Sequence, residues 1–188
     1  MADEAGQVKR EKLDPEREAR RRVALAQIRQ YGDPVLRMRA NEVESFDGDL
    51  SRLVERMTAL MRDANGVGLA GNQVGLLQRV VVMQPSDEEP FALVNPVITS
   101  TSDEQEVDDE GCLSLQGVTV PVERRVRVTV EAMDENGEPV TVELEGLAAR
   151  VAQHELDHLD GVLIFDRTDD DARRAALALL RPRIAIER

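Results

Sequence analysis

Aromatic residues are nearly missing from this chain: 188 residues hold no Trp, one Tyr and three Phe. A core must therefore be packed from Val, Leu, Ile, Ala and Met, and the 41% hydrophobic content suffices for one domain of ordinary size. Cysteine is reduced to Cys112, which excludes an internal disulfide and fits a reducing compartment. Histidine is limited to His154 and His158, so a metal site of soft or nitrogen donors can draw only on these two and Cys112. No apolar run approaches the roughly 20 residues that span a bilayer, and the first residues lack the apolar stretch of a signal peptide. A cytoplasmic protein with no membrane partner is expected. Basic residues are outnumbered, 24 Lys+Arg against 37 Asp+Glu, and the net charge of −13 argues against general nucleic-acid binding.

What is present divides into three blocks. Residues 1–27 carry charges of both signs around Pro15 and read as a flexible or helical extension. A globular part is expected over 28–168, opening on a turn at Gly32-Asp33-Pro34, and a C-terminal amphipathic helix or tail over 169–188. Between Asp47 and Ala64, Leu50, Leu53, Val54, Met57, Leu60 and Met61 recur at helical spacing, with Asp49 or Ser51 available as N-cap and Asn65-Gly66 as a stop. A Gly-rich loop follows, then two β-branched runs, QRVVVMQ and FALVNPVI, that read as strands. Ser86 to Glu110 is dense in acids without any Lys or Arg and reads mostly as a solvated rim. VRVTVEAM and EPVTVELEG alternate around Asp134-Glu135-Asn136-Gly137, a hairpin signal. Leu147 to Leu159 then turns helical and apolar nearly all round, as expected of a buried helix closed by Gly161. The blocks predict an α+β fold: antiparallel strands packed around a central helix, with an N-terminal and a C-terminal helix.

Chemistry concentrates in His154-Glu155-Leu156-Asp157-His158. Spacing of i, i+4 stacks both imidazoles on one helix face, close enough to grip one metal ion, while Glu155 lies about 100° further round. Two unrelated histidines four apart would give the same pattern, but on this apolar helix they would bury imidazoles and acids without partners. A catalytic metal takes three protein ligands and keeps one position open. A downstream acid, Asp166 or Glu187, could be the third; Cys112 is the stronger donor and sits in the distinctive run Glu110-Gly111-Cys112-Leu113-Ser114. An inert buried thiol is the plainer reading of a lone cysteine.

With GVGLAGNQ (Gly66 to Gln73), EGCLS (Glu110 to Ser114) and HELDHLDG (His154 to Gly161) in this order, the chain resembles the bacterial-type peptide deformylases from roughly Ile28 to Arg167. The resemblance implies a metallohydrolase that removes the formyl group from the N-terminal methionine of nascent peptides and releases formate. It implies that Cys112, His154 and His158 hold one divalent metal: Fe(II) in the cell, with Zn, Ni or Co in purified protein. It further implies Glu155 as general base and acid, Gln73 and the Leu113 N–H as oxyanion donors, and backbone pairing of the peptide with Gly66 and Gly68. Val67, Leu147 and Val151 would receive the methionine side chain, and Asp157 would orient a neighbouring group. Where the family's first motif usually reads Ala-Ala, this chain has Ala70-Gly71, and the added freedom would hold Gln73 less rigidly. Weak ribosome contact through Arg173, Arg174, Arg181 and Arg183 is a further expectation. The competing readings are an endopeptidase using the same HExxH chemistry and a non-catalytic protein whose metal is purely structural.

Overall fold

The structure, a computed structural model, describes residues 14–180; 1–13 and 181–188, with Arg181, Arg183 and Glu187, lie outside the described residues. Four helices, α1 (Pro15–Leu25), α2 (Gly48–Asp63), α3 (Leu147–Leu159) and α4 (Asp170–Leu180), surround seven strands. These are β1 (Gly68–Ala70), β2 (Val80–Met83), β3 (Phe91–Thr101), β4 (Gln105–Gly111), β5 (Thr119–Arg125), β6 (Arg127–Met133) and β7 (Pro139–Glu145). Five form an antiparallel sheet in the order β1-β2-β3-β6-β7, and β4 and β5 pair as a separate two-stranded sheet. The α+β expectation holds.

β2 explains the layering. Its Val80 and Val82 face a core shared with Ala24, Leu53, Met57 and Met61 of α1 and α2, whereas Val81 and Met83 face one shared with Ala149, Ala152 and Leu159 of α3. A strand covered on both faces reads as an unbroken apolar run, which is why VVVM shows no alternation. A third core joins Val118, Val120 and Val122 to Phe165 and to Ala176 of α4. The apolar stripe expected on α2 is buried throughout. Its cap is Asp47, not Asp49 or Ser51: the Asp47 Oδ1 accepts from the N–H groups of Asp49 at 2.9 Å and Leu50 at 3.3 Å, so the helix opens at Gly48. α1 lies inside the segment expected as an extension, and its Ala24 and Leu25 are buried.

Two stretches differ from their expected form. The Gly-rich loop contains strand β1, whose Leu69 and Ala70 are fully buried beside β2. The acid-rich rim contains β4, paired with β5 from Gln105 opposite Arg125 to Gly111 opposite Thr119. Both faces of β4 are exposed except at Glu110, so the stretch carries no hydrophobic alternation to betray a strand. No helix among the described residues is long and apolar enough to cross a membrane.

α3 is the element that all of this places. It leaves β7 through Gly146 at φ 58° and is closed by Gly161 at φ 74°. A Cβ at Gly161 would stand 2.6 Å from the Arg37 carbonyl oxygen, so only glycine lets the chain leave the helix against that loop. Just beyond, the Asp166 carboxylate accepts from the Leu163 N–H at 2.8 Å and pairs with Arg37. Partial burial raises its pKa, but the Leu163 N–H and Arg37 outweigh burial and hold it below the usual carboxylate value. Its stabilisation is thus complete above the unfolded-state pKa and disappears as pH falls through the lower folded one. Asp166→Asn should lower the melting temperature at neutral pH, with the gap to wild type closing as pH drops below about 4; calorimetry across that range gives the check, and a gap independent of pH would contradict it.

Candidate active site

Three segments from different parts of the fold converge on one face of α3. Its i, i+4 pair, His154 and His158, have ring centroids 4.9 Å apart. Cys112 follows the last residue of β4, and its Sγ lies 3.2 Å from His158 Nε2. One donor atom from each of Cys112, His154 and His158 falls within 4.8 Å of the others. Asp166 does not join them, being committed to Arg37 and the Leu163 N–H.

Contacts within the protein orient the donors. Glu110 Oε2 lies 3.0 Å from His154 Nδ1, which leaves Nε2 to face the cluster. Burial lowers the pKa of His158 well below its usual value and keeps that ring neutral, and its buried Nδ1 has no partner among the described residues. Burial also lowers that of His154, but the acceptors Cys112 and Glu110 overcome it and raise it. Two imidazole nitrogens and a sulfur turned toward one another, with the remaining edge of His154 fixed by a carboxylate, fit a divalent metal with an open position.

Glu110 itself was hidden in the acid run and is not on the rim. It is 5% exposed, and its oxygens also accept from Arg124 at 2.9 and 3.0 Å and from Arg150 at 3.0 Å. Burial alone would raise its pKa; the bonds from His154 and Arg124 bring it down to about 2. Arg150 was likewise overlooked, though an arginine one turn before His154 on an otherwise apolar helix was its signal. Asp157 points away from the cluster and pairs with Arg124 at 2.6 Å and with Arg167.

Glu155 stands beside the cluster, 4% exposed. Burial raises its pKa to about 7, and its Oε2 has no hydrogen-bond partner among the described residues. Gln73, in the 3-10 turn Gly71–Val74 after β1, is held at both ends: its Oε1 accepts from the Ala70 N–H at 2.9 Å and its Nε2 donates to Ser114 Oγ at 3.2 Å. The Nε2 also donates to the Cys112 sulfur at 3.6 Å, a weak N–H···S bond that a better oxygen acceptor can displace. The Leu113 N–H donates to no backbone carbonyl among the described residues.

A cleft of about 610 Å³ brings these groups together, lined by Gln73, Cys112, Leu113, His154 and Glu155. Gly66, Val67 and Gly68 also line it, and Leu147 and Val151 contribute apolar surface. Val67 and Leu147 are 43% and 55% exposed, and Val151 is buried. The glycines are crowded by the chain's own side chains: a Cβ on Gly68 would collide with the Glu155 carboxylate and Val151, and one on Gly66 would stand 2.7 Å from Leu113. A larger groove of about 840 Å³ on the other side of α3 holds Arg79, Arg124 and Arg167, each already paired with Asp157 or Asp160, and none of the cluster lines it.

Comparison with known proteins agrees with this geometry. The family model for polypeptide deformylase matches residues 25–174. The chain belongs to the polypeptide deformylase family. A peptide deformylase from a Parafrankia species is 43% identical over 159 residues, 85% of this chain and 87% of its own. The crystal structure of the Thermotoga maritima peptide deformylase is similar with a TM-score of 0.74 at 50% identity, covering 76% of this chain and 96% of that one. A peptide deformylase from Synechococcus elongatus, solved in complex with actinonin, gives 0.78 at 39% identity over 81% of this chain and 85% of that one. At the departure from the deformylase pattern, Gly71 has a packing reason. It is buried, and a Cβ there would lie 2.5 Å from the Gln78 carbonyl oxygen and 3.0 Å from that of Leu76, so the glycine admits a close backbone approach while Gln73 stays pinned.

Replacing Glu110 with Gln removes the charge that orients His154 and leaves Arg124 and Arg150 short of a counter-charge. Metal retention in a chelator competition should weaken by about 10- to 100-fold; retention equal to wild type would show that His154 is oriented by other means.

Proposed function

We propose that this deformylase family member hydrolyses the formyl group from the N-terminal formyl-methionine of nascent peptides and releases formate. The observation that carries this reading is the Glu155 carboxylate, buried with its Oε2 unpartnered among the described residues, beside the Cys112–His154–His158 cluster in a cleft with apolar lining. Cys112, His154 and His158 hold the metal; two imidazoles and a thiolate suit Fe(II), Zn, Ni or Co, and Fe(II) is assigned in the cell, with the others in purified protein. When bound, the cation supplies Lewis acidity that brings the pKa of water toward neutrality and polarises a carbonyl.

The chain's own groups complete the reaction. Glu155, with a pKa near 7, takes a proton from the attacking water as its oxygen adds to the formyl carbon. The same carboxyl returns the proton to the amine nitrogen when the C–N bond breaks. Charge gathering on the formyl oxygen is met by donors already in place, Gln73 Nε2 and the Leu113 N–H. Val67, Leu147 and Val151 receive the methionine side chain, and the backbone from Gly66 to Gly68 takes the extended peptide as an added strand. The same reading places the protein in the cytoplasm. α4 lends ribosome contact less support, since Arg174 is paired with Asp171 and Ala176 packs inward. An internal-bond peptidase has no observation in its favour, and a purely structural metal would leave Glu155 buried to no purpose.

Formate release from formyl-Met-Ala-Ser by protein prepared without oxygen tests the assignment, with Glu155→Ala beside wild type and metal measured on both. The variant should keep its metal and lose at least about 10²-fold in turnover. Full activity in metal-bearing Glu155→Ala would exclude the proton-transfer role, and a metal-loaded wild type that releases no formate would exclude the activity.

A further inference from the structure

The two donors assigned to the formyl oxygen come from segments far apart in the chain. Gln73 follows β1 and Leu113 follows β4, and these strands belong to different sheets, so no ladder sets one donor against the other. The segment Arg29 to Tyr31 bridges them. Its first N–H, from Arg29, donates to the Gln73 carbonyl oxygen at 2.7 Å, and its last, from Tyr31, donates to the Ser114 carbonyl oxygen at 2.9 Å. Between them the half-buried Gln30 side chain donates from Nε2 to the Leu113 carbonyl oxygen at 3.2 Å and to the Ile28 carbonyl oxygen at 3.1 Å. Its Oε1 accepts from Gln116 Nε2 at 3.0 Å. Both hydrogens and the oxygen of this one amide are thus spent on the loop that carries Leu113 and on Ile28, the residue just before the strap.

An oxyanion site works because its donors are fixed before charge develops; a donor that must reorient during the reaction loses much of its effect. We infer that Gln30 is a positioning residue for the reaction: by holding the Leu113 carbonyl it sets the pose of the Leu113 N–H relative to Gln73, whose own carbonyl is tied to the same strap through Arg29. This rests on the deformylase reading and goes beyond it, since Gln30 is not one of the metal ligands and does not itself line the cleft, reaching it only through Leu113 and Gln116.

Gln30→Met keeps length and shape and removes all three hydrogen bonds, while Gln30→Glu keeps the acceptor and sets a carboxylate against two carbonyl oxygens. Both are measured in the metal-loaded full chain on formyl-Met-Ala-Ser beside Gln73→Ala, with metal content and melting temperature. A direct donor removed costs about 10²–10³-fold in kcat, so Gln73→Ala is expected in that range and the two Gln30 variants at roughly tenfold. Their KM should stay within about twofold of wild type and their metal content unchanged, as a loss confined to the transition state requires. A loss in Gln73→Ala with wild-type kcat in both Gln30 variants overturns the positioning role alone. So does a fall in kcat that follows loss of metal or is matched by a rise in KM. Wild-type kcat in Gln73→Ala overturns the oxyanion assignment and the positioning role with it.

Discussion

Taking a carboxylate out of water costs several kcal/mol unless its oxygens find donors, and Glu110 finds them on every side. Arg124 reaches it from β5, Arg150 from the first turns of α3, and His154 from the same helix one turn on. Arg150 also donates to the carbonyl oxygens of Val122 and Glu106, so one guanidinium ties α3 to both strands of the β4–β5 sheet. Cys112 leaves the end of β4, two residues past Glu110. The buried ion cluster therefore determines where the sulfur stands relative to the imidazoles. Removing either arginine would strand charge on Glu110, so the cluster acts as a unit.

Packing around α3 serves the same end from the other side. β1 lies so close to the helix that only glycine fits at position 68, and this contact brings the Gln73 turn to the level of Glu155. The five-stranded sheet separates two cores, which leaves α3 buried along one face and open to the cleft at Leu147, Val151 and His154. Glu155 is held where burial raises its pKa to about 7, well above the range of an exposed carboxyl, and this suits it to both take and return a proton near neutrality. Glu110, equally buried but surrounded by donors, is held down at about 2. Two neighbouring glutamates are thus shifted in opposite directions, because Glu110 is met by donors and the buried Glu155 Oε2 has no partner among the described residues.

Legibility in the sequence followed periodicity and rarity. α2 and the β6–β7 hairpin declared themselves through spacing of 3.6 or 2, because each turns one face to a core and the other to solvent, whereas α3 declared itself as a helical stretch apolar nearly all round and closed by Gly161. The His154, His158 and Cys112 set stood out because so few such residues exist in the chain. β4 gave no such signal, since neither of its faces meets a core except through a single acid, and Glu110 was lost among neighbours of the same charge. Capping by Asp47 instead of Asp49 or Ser51 turned on a backbone angle that residue type alone does not specify. The packing reason for Gly71 was not legible either, because the Gln78 carbonyl approaches it through space.

By itself, then, the amino-acid sequence determined the fold class and the placing of His154, Glu155 and His158 on one buried helix, since these depend on residue type and on local spacing. Tertiary structure decided which acid is buried, which arginines answer it, and how the strap at Arg29 to Tyr31 spans two loops. Those features depend on contacts between segments distant in the chain, where charge pairing and excluded volume act through space and leave no local pattern to read.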